Sequence, residues 1–464
     1  METGPQRLCL LGQCPDRTSV EDDVVAKELL EGGENSSFDR VMEETLSPAR
    51  KIVGETLVPG ERAPAERALV LAALSEGDSK ISNVPVVAGR VVGLLRGLGV
   101  GIDKKKSTYS VKGVGLRGFE GVDESIDLDG LGDTALLILT VLAGQEFTAR
   151  VKLGGEVERC QGLIDLLGEL GFEIQRETAS ALVLGGNKVV GCVFAEVDIE
   201  AEFKLGVMVG ALYAEGKTQL PETASNRNRM ERFLRGRGVE VERRKEGQGY
   251  VVSVEGGQAV RALDVEVAGQ LALSYPLIGA ALCRKGSKLT VKRVAIHAGR
   301  RAFLDLLRQI GAEIDIEDLG EGEHDLHVRA SELKSTRVAG QRAEKVIDHI
   351  ALLAVLATQA MGEIVIRDIE GLRQGAFDYV GHLFESLRSL EVRVGEFSEG
   401  IVIKGGFPMM GGRLDSRGDP GLALAFALAG LLAEGEITVE GTECLEAIWP
   451  DFFKTLYLLK ETQR

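Results

Sequence analysis

At 464 residues the chain is long enough for two or three domains, and 44% hydrophobic residues supply ample core. A net charge of -16 and a pI near 5.1 argue against nucleic acid or an anionic membrane as partner. Six cysteines without paired spacing indicate reduced thiols in a cytoplasmic compartment, and no apolar run reaches the length of a membrane span.

Taken in chain order, the first segment stands apart. Residues 1–50 hold the acidic run Glu21, Asp22, Asp23 and the polar tract GGENSS, which predicts a mobile N-terminal extension and a surface for a protein partner. From about residue 51 the chain repeats itself. An apolar helical run closes at a glycine and gives way to a strand-like run: ALVLAALSEG to Gly77, LLILTVLAG to Gly144, KLGVMVGALYAEG to Gly216. The pattern continues with LSYPLIGAALCRKG to Gly286, IALLAVLATQAMG to Gly362 and LALAFALAGLLAEG to Gly435. A second signal alternates with it, in LLRGLGVGI, LLGELGFEI, FLRGRGVEV, LLRQIGAEI and SLRSLEVRV, where a helix closes and a strand opens. The period is about 70 residues, and self-similarity at a fixed period decides architecture before any single residue does.

Each repeat predicts a helix, a short strand such as EIVIRDI, a second helix and two further strands. The first helix is apolar nearly all round and should be buried. The glycine that follows fits a left-handed C-cap. Six such units make either a six-bladed solenoid or two domains of three, and periodicity alone fits both.

The order of motifs resembles the enolpyruvyl transferase family, and within it the EPSP synthase branch, over residues 51–460. The resemblance rests on PGERAPAERALVLAALSEG (59–77) against PG-x-K-S-x-S-x-R-A-L-x-L-A-A-L-x-x-G, and on LGDTALLILTVLAG (131–144) against G-N-A-G-T-A-x-R. It rests also on SNRNRMERFL (225–234) against S-R-D-H-T-E-R-M-L and on IWPDFF (448–453) against T-F-P-D-Y-F. The resemblance implies an α/β fold of two domains, an inside-out α/β barrel with three β-α-β-α-β-β repeats in each. The lobes it implies are 61–268, and 51–60 plus 269–464. It implies transfer of the enolpyruvyl group of phosphoenolpyruvate to shikimate 3-phosphate, in an interdomain cleft that receives small anionic substrates and needs no metal or organic cofactor.

Residue by residue, the resemblance maps substrate-binding roles onto Arg62, Arg67, Arg159 and Arg227, and a catalytic proton-transfer role onto Asp348. Each has a plainer reading, as surface or helix-capping arginine and as a helix-start aspartate. Much else departs from the family. Its first-motif serines are Ala63 and Ala65, and its Asn and Arg in the second motif are Leu131 and Leu137. The S-S-Q phosphate cradle is Glu200, Ala201 and Glu202. The K-E-x-D-R segment keeps only Asp378, with Gly375, Ala376 and Tyr379 at the other positions, D-H-R reads Asp419, Pro420, Gly421, and the last Lys is Ala447. A charge-assisted contact contributes on the order of 1.5–3 kcal/mol, so the family's own substrates are expected to bind several powers of ten more weakly. Three functions follow from that balance: a drifted transferase, a catalytically inactive relative that binds a ligand or partner, and a non-enzymatic subunit of an active paralogue. His324 and His327 have metal-like spacing but no third ligand nearby in sequence.

Overall fold

The computed structural model describes residues 42–186, 189–194, 199–223, 230–247 and 249–462. Its contacts divide the chain into two compact units, Gly60–Val267 and Met1–Pro59 with Ala268–Arg464. Three largely apolar helices, with a few charged residues in their first turns, lie at the heart of each. They are α1 (Arg62–Ala73), α2 (Asp133–Ala143) and α3 (Lys204–Leu212) in the first, then α4 (Leu271–Cys283), α5 (Ile350–Ala357) and α6 (Pro420–Leu432) in the second. Every residue of α3 and of α5 is buried, as an apolar circumference requires.

Among the described residues three small sheets stand around each trio, and two of the six share one four-stranded plan. In the second repeat, Ile126–Asp127 runs parallel to Ala149–Lys152, which pairs antiparallel with Ala181–Gly186 and through it with Phe172–Arg176. The fifth repeat copies it with Lys334–Val338, Met361–Ile366, Gly400–Lys404 and Arg393–Phe397. Between the strands lie amphipathic helices such as Val157–Glu169 and Tyr379–Ser389, which bury one face against the core. Three strands arrive from elsewhere in the chain. Ser75–Ser82 takes its parallel neighbour from Val260–Arg261 and Val265–Glu266, and Lys288–Ala295 takes its own from Ala49–Thr56.

The sixth repeat corrects the expected N-terminal extension. Glu43–Leu46 pairs antiparallel with Ile437–Glu440 and supplies a strand that the C-terminal repeat lacks. Leu46 is wholly buried there. The extension expected over 1–50 therefore ends earlier, at or before residue 42; residues 1–41 lie outside the described residues.

The helix-closing glycines are also less uniform than expected. Gly77, Gly216, Gly286 and Gly362 have positive φ, but Gly77 and Gly362 already lie in strands. Gly144 is right-handed, at φ -82°. Its constraint is steric, because a Cβ there would meet the Tyr213 ring at 2.6 Å. Among the described residues no helix is long and apolar enough to cross a membrane, and no three metal-ligating side chains converge. Burial pushes the thiols of Cys160 and Cys192 up to about 11, and those of Cys283 and Cys444 up to about 12. They behave as small apolar residues.

Candidate functional site

In the Gly60–Val267 unit the mapped arginines gather where α1 and α2 begin. Arg62 opens α1, and its Nε donates to Glu66 Oε1 at 2.7 Å while Nη2 reaches Gly130 O at 3.2 Å. The other Glu66 oxygen accepts from Thr134 Oγ1 at 2.6 Å, so a buried carboxylate ties the first turns of α1 and α2 together. Asp133 starts α2 directly after Gly132, whose φ of 55° turns the chain into the helix. Arg159, from the helix Val157–Glu169, spans two carboxylates through Nη2: Asp133 Oδ1 at 2.5 Å and Glu202 Oε2 at 3.0 Å. Hydrogen bonding to Glu202 is the largest of the effects that raise its pKa.

Arg67 differs from both. It makes no ion pair among the described residues. Nε donates to Ala63 O at 3.1 Å, Nη1 approaches Met230 Sδ at 3.5 Å, and the guanidinium stands 5.9 Å from the centre of the Phe233 ring. Burial lowers its pKa from the ordinary arginine value, against the opposing charges of Asp133, Glu61 and Glu66. Beside it lies a cavity of about 250 Å³. Arg67, Asp133 and Glu202 supply its charged lining, and Leu137, Leu205 and Met230 are part of its apolar wall.

The expected arginines differ in their surroundings. Arg62 and Arg159 are held by carboxylates of their own unit, which leaves Arg67 as the mapped arginine that lines the cavity. Arg227 lies outside the described residues. The sequence reading missed Asp133 as a lining residue; the available signal was a carboxylate standing where the family motif has a glycine. It missed Lys204 too. This first residue of α3 is 1% exposed, 3.3 Å from Glu222 and 3.1 Å from Glu231, and Arg243 closes on Glu222 at 2.6 Å.

In the other unit Asp348 sits in the 3-10 turn Ile347–His349 that leads into α5. It does not cap the helix: His349 holds the N-cap position, and no side chain makes a capping bond. Nor does Asp348 form an ion pair within its unit among the described residues. Burial pushes its carboxyl up to about 6. Tyr379, at the position of a family arginine, is raised well above its usual value by burial first, then by Asp419 and Asp348. Gly375 and Ala376 are exposed, and Asp378 caps the helix Tyr379–Ser389 through Gly381 N while pairing with Arg373.

A testable consequence follows for pH. The folded pKa of Asp348 lies above that of an unfolded aspartate, so the native state binds the extra proton between about pH 4 and 6. Its contribution is fully present below pH 4 and is lost as pH rises through 6. Asp348→Asn removes that loss. The variant should melt higher than the wild type at pH 8 and at the same temperature at pH 4, by calorimetry or circular dichroism. An equal shift at both pH values would rule out a charge that burial disfavours.

Comparison with known proteins places the whole pattern. The family model for EPSP synthase (3-phosphoshikimate 1-carboxyvinyltransferase) matches residues 46–456. The chain is 30% identical over 427 residues to the 3-phosphoshikimate 1-carboxyvinyltransferase of a Sulfurihydrogenibium species, covering 89% of this chain and 99% of the relative. It is 31% identical to that of a Synechococcus species, over 89% and 96%. Among solved structures, EPSP synthase from Acinetobacter baumannii superposes with a TM-score of 0.71 at 24% identity, over 91% of this chain and 99% of that one. The enolpyruvyl transferase NikO from Streptomyces tendae gives 0.59 at 18%, over 89% and 96%. At those identities the structural likeness speaks for the fold.

Proposed function

The chain belongs to the EPSP synthase family, and we propose that it is a ligand-binding member that does not carry out the family's enolpyruvyl transfer at a useful rate. One observation carries the reading: two carboxylates, Asp133 and Glu202, line the cavity beside Arg67. Glu202 and Ala201 stand where the family motif supplies a polar phosphate cradle, and Leu137 stands where it supplies an arginine. A phosphate monoester brought there would meet like charge in place of donors, which opposes binding more than a missing contact does. Five or more positions that normally give a charge-assisted contact of about 1.5–3 kcal/mol are neutral or acidic. Poorly held reactants also forfeit the positioning that makes up much of such a rate.

A second reading has its own observation. Asp348, with its carboxyl pushed up to about 6, is well placed in pKa for general acid–base work near neutrality. It supports a transferase whose acceptor has changed. The first reading is tested by a phosphate-release assay with phosphoenolpyruvate and shikimate 3-phosphate, beside calorimetric titration with each; the second predicts binding of phosphoenolpyruvate without turnover of that acceptor. The expected result is no turnover above background. Turnover that disappears in Asp348→Ala would overturn the first reading and establish the family reaction.

A further inference from the structure

We infer that the cavity of the Gly60–Val267 unit takes a small zwitterion with an apolar side chain, a free α-amino acid by class, its carboxylate on Arg67 and its ammonium at Asp133 and Glu202. The inference rests on the ligand-binding reading above and gives that ligand a chemistry.

The first argument is charge. The lining brings one cation and two carboxylates to one small space. Arg159 neutralises part of that, but it takes one oxygen of each carboxylate, Asp133 Oδ1 and Glu202 Oε2. An ionised carboxyl group has roughly four lone-pair sites, so acceptors remain on both residues for an ammonium. Arg67 has donors to spare in the opposite sense. A guanidinium carries five N–H groups, and its bonds run to one carbonyl and one thioether, with no ion pair among the described residues. A dianion satisfies Arg67 and is repelled by the two carboxylates. A simple amine does the reverse. A zwitterion satisfies both signs and adds no net charge.

The second argument is the wall. Leu136, Leu137, Leu205 and Met230 line the same space, with Gly206 leaving room beside them. A polyol in that position would leave hydroxyls without partners, each costing on the order of 1–3 kcal/mol. An aliphatic or aromatic side chain suits it. Size agrees: a dry cavity of about 150 Å³ accommodates benzene, so a cavity of about 250 Å³ suits a ligand of roughly ten non-hydrogen atoms, the size of leucine or phenylalanine.

The experiment is calorimetric titration of the full chain with L-leucine and L-phenylalanine, and with the matching acids and amines that lack one of the two charges. The expected result is saturable binding of at least one amino acid, with its acid and amine analogues weaker by roughly tenfold or more. Arg67→Met and Glu202→Gln should each weaken binding by a similar factor. Leu137→Phe fills the cavity without removing a charge and should abolish binding while the protein still melts cooperatively. An acid analogue that binds as tightly as its parent amino acid would overturn the inference in favour of a plain anion pocket. So would the absence of binding by a folded protein. Turnover of phosphoenolpyruvate with shikimate 3-phosphate would defeat the ligand-binding reading itself; absence of amino-acid binding without such turnover defeats the zwitterion alone.

Discussion

Lys204→Met is expected to destabilise the Gly60–Val267 unit by about 3–5 kcal/mol, the usual consequence of removing one partner from a buried ion pair. For a unit of this size that is a fall in melting temperature of roughly 6–20 °C. Lys204 is 1% exposed, and its ammonium lies within 3.3 Å of Glu222 and 3.1 Å of Glu231, themselves buried. Burial alone would push the Glu222 carboxyl up; hydrogen bonds from Arg243 and the charge of Lys204 outweigh it and hold the carboxyl below its usual value. That depressed pKa contributes stability above the unfolded glutamate pKa and loses it as pH falls through the folded one. Without Lys204, Glu231 loses the cation 3.1 Å away and Glu222 loses one of its charged partners. A buried carboxylate that loses a cation takes up a proton more readily. The penalty should therefore be larger at pH 8 than at pH 5, and Glu231→Gln added to Lys204→Met should recover part of it. Urea melts of the three proteins at both pH values check this. A single-variant loss below about 1 kcal/mol would mean that the lysine's amine reaches water.

This network was not legible in the sequence. Lys204 opens the run KLGVMVGALYAEG, whose apolar character predicts burial of the helix but says nothing about its one charge. The partners come from a strand, Lys217–Glu222, and a helix, Met230–Arg235, and only folding brings them to one point. The six-fold pattern was legible for the opposite reason. A helix that is apolar all round has one place to go, and six copies of it at even spacing mark six repeats with a buried helix in each. Short polar strands were not legible. EETL at 43–46 has no run or alternation that marks a strand, and its pairing with Ile437–Glu440 closes a sheet across nearly the whole chain length. The candidate site was half legible. The resemblance pointed to Arg67 and Asp348 as candidates. The engagement of Arg62 with Glu66 and of Arg159 with Asp133 and Glu202 depends on which helix starts lie side by side, and no local pattern encodes that.

Arg237 offers the reverse case, and its removal is expected to stabilise the protein. It is 2% exposed, follows the helix Met230–Arg235, and has no ion pair among the described residues. Nη2 lies 3.5 Å from Ala68 O, at the outer limit of a hydrogen bond, and Nη1 has no partner. Burial pulls its pKa down to about 10, so the side chain is still charged at neutral pH. A guanidinium held there is desolvated with no countercharge among the described residues to offset the cost. Methionine has a comparable reach, packs into irregular space and carries no charge. Arg237→Met should therefore raise stability by about 1–4 kcal/mol, the range found when buried charges give way to apolar side chains. Arg237→Lys, which keeps the charge on a compact and more strongly hydrated group, should bring no gain. The main-chain bonds of the residue, to Leu234 O and from Arg261 N, are unaffected by either change. Denaturant melts in low salt and again with added phosphate or chloride separate the causes. An anion that raises the wild-type midpoint and leaves Arg237→Met unmoved would show that solution supplies the missing countercharge. A loss of more than about 1 kcal/mol in Arg237→Met at low salt would sink the argument, because it requires that the guanidinium have a partner worth more than its burial costs.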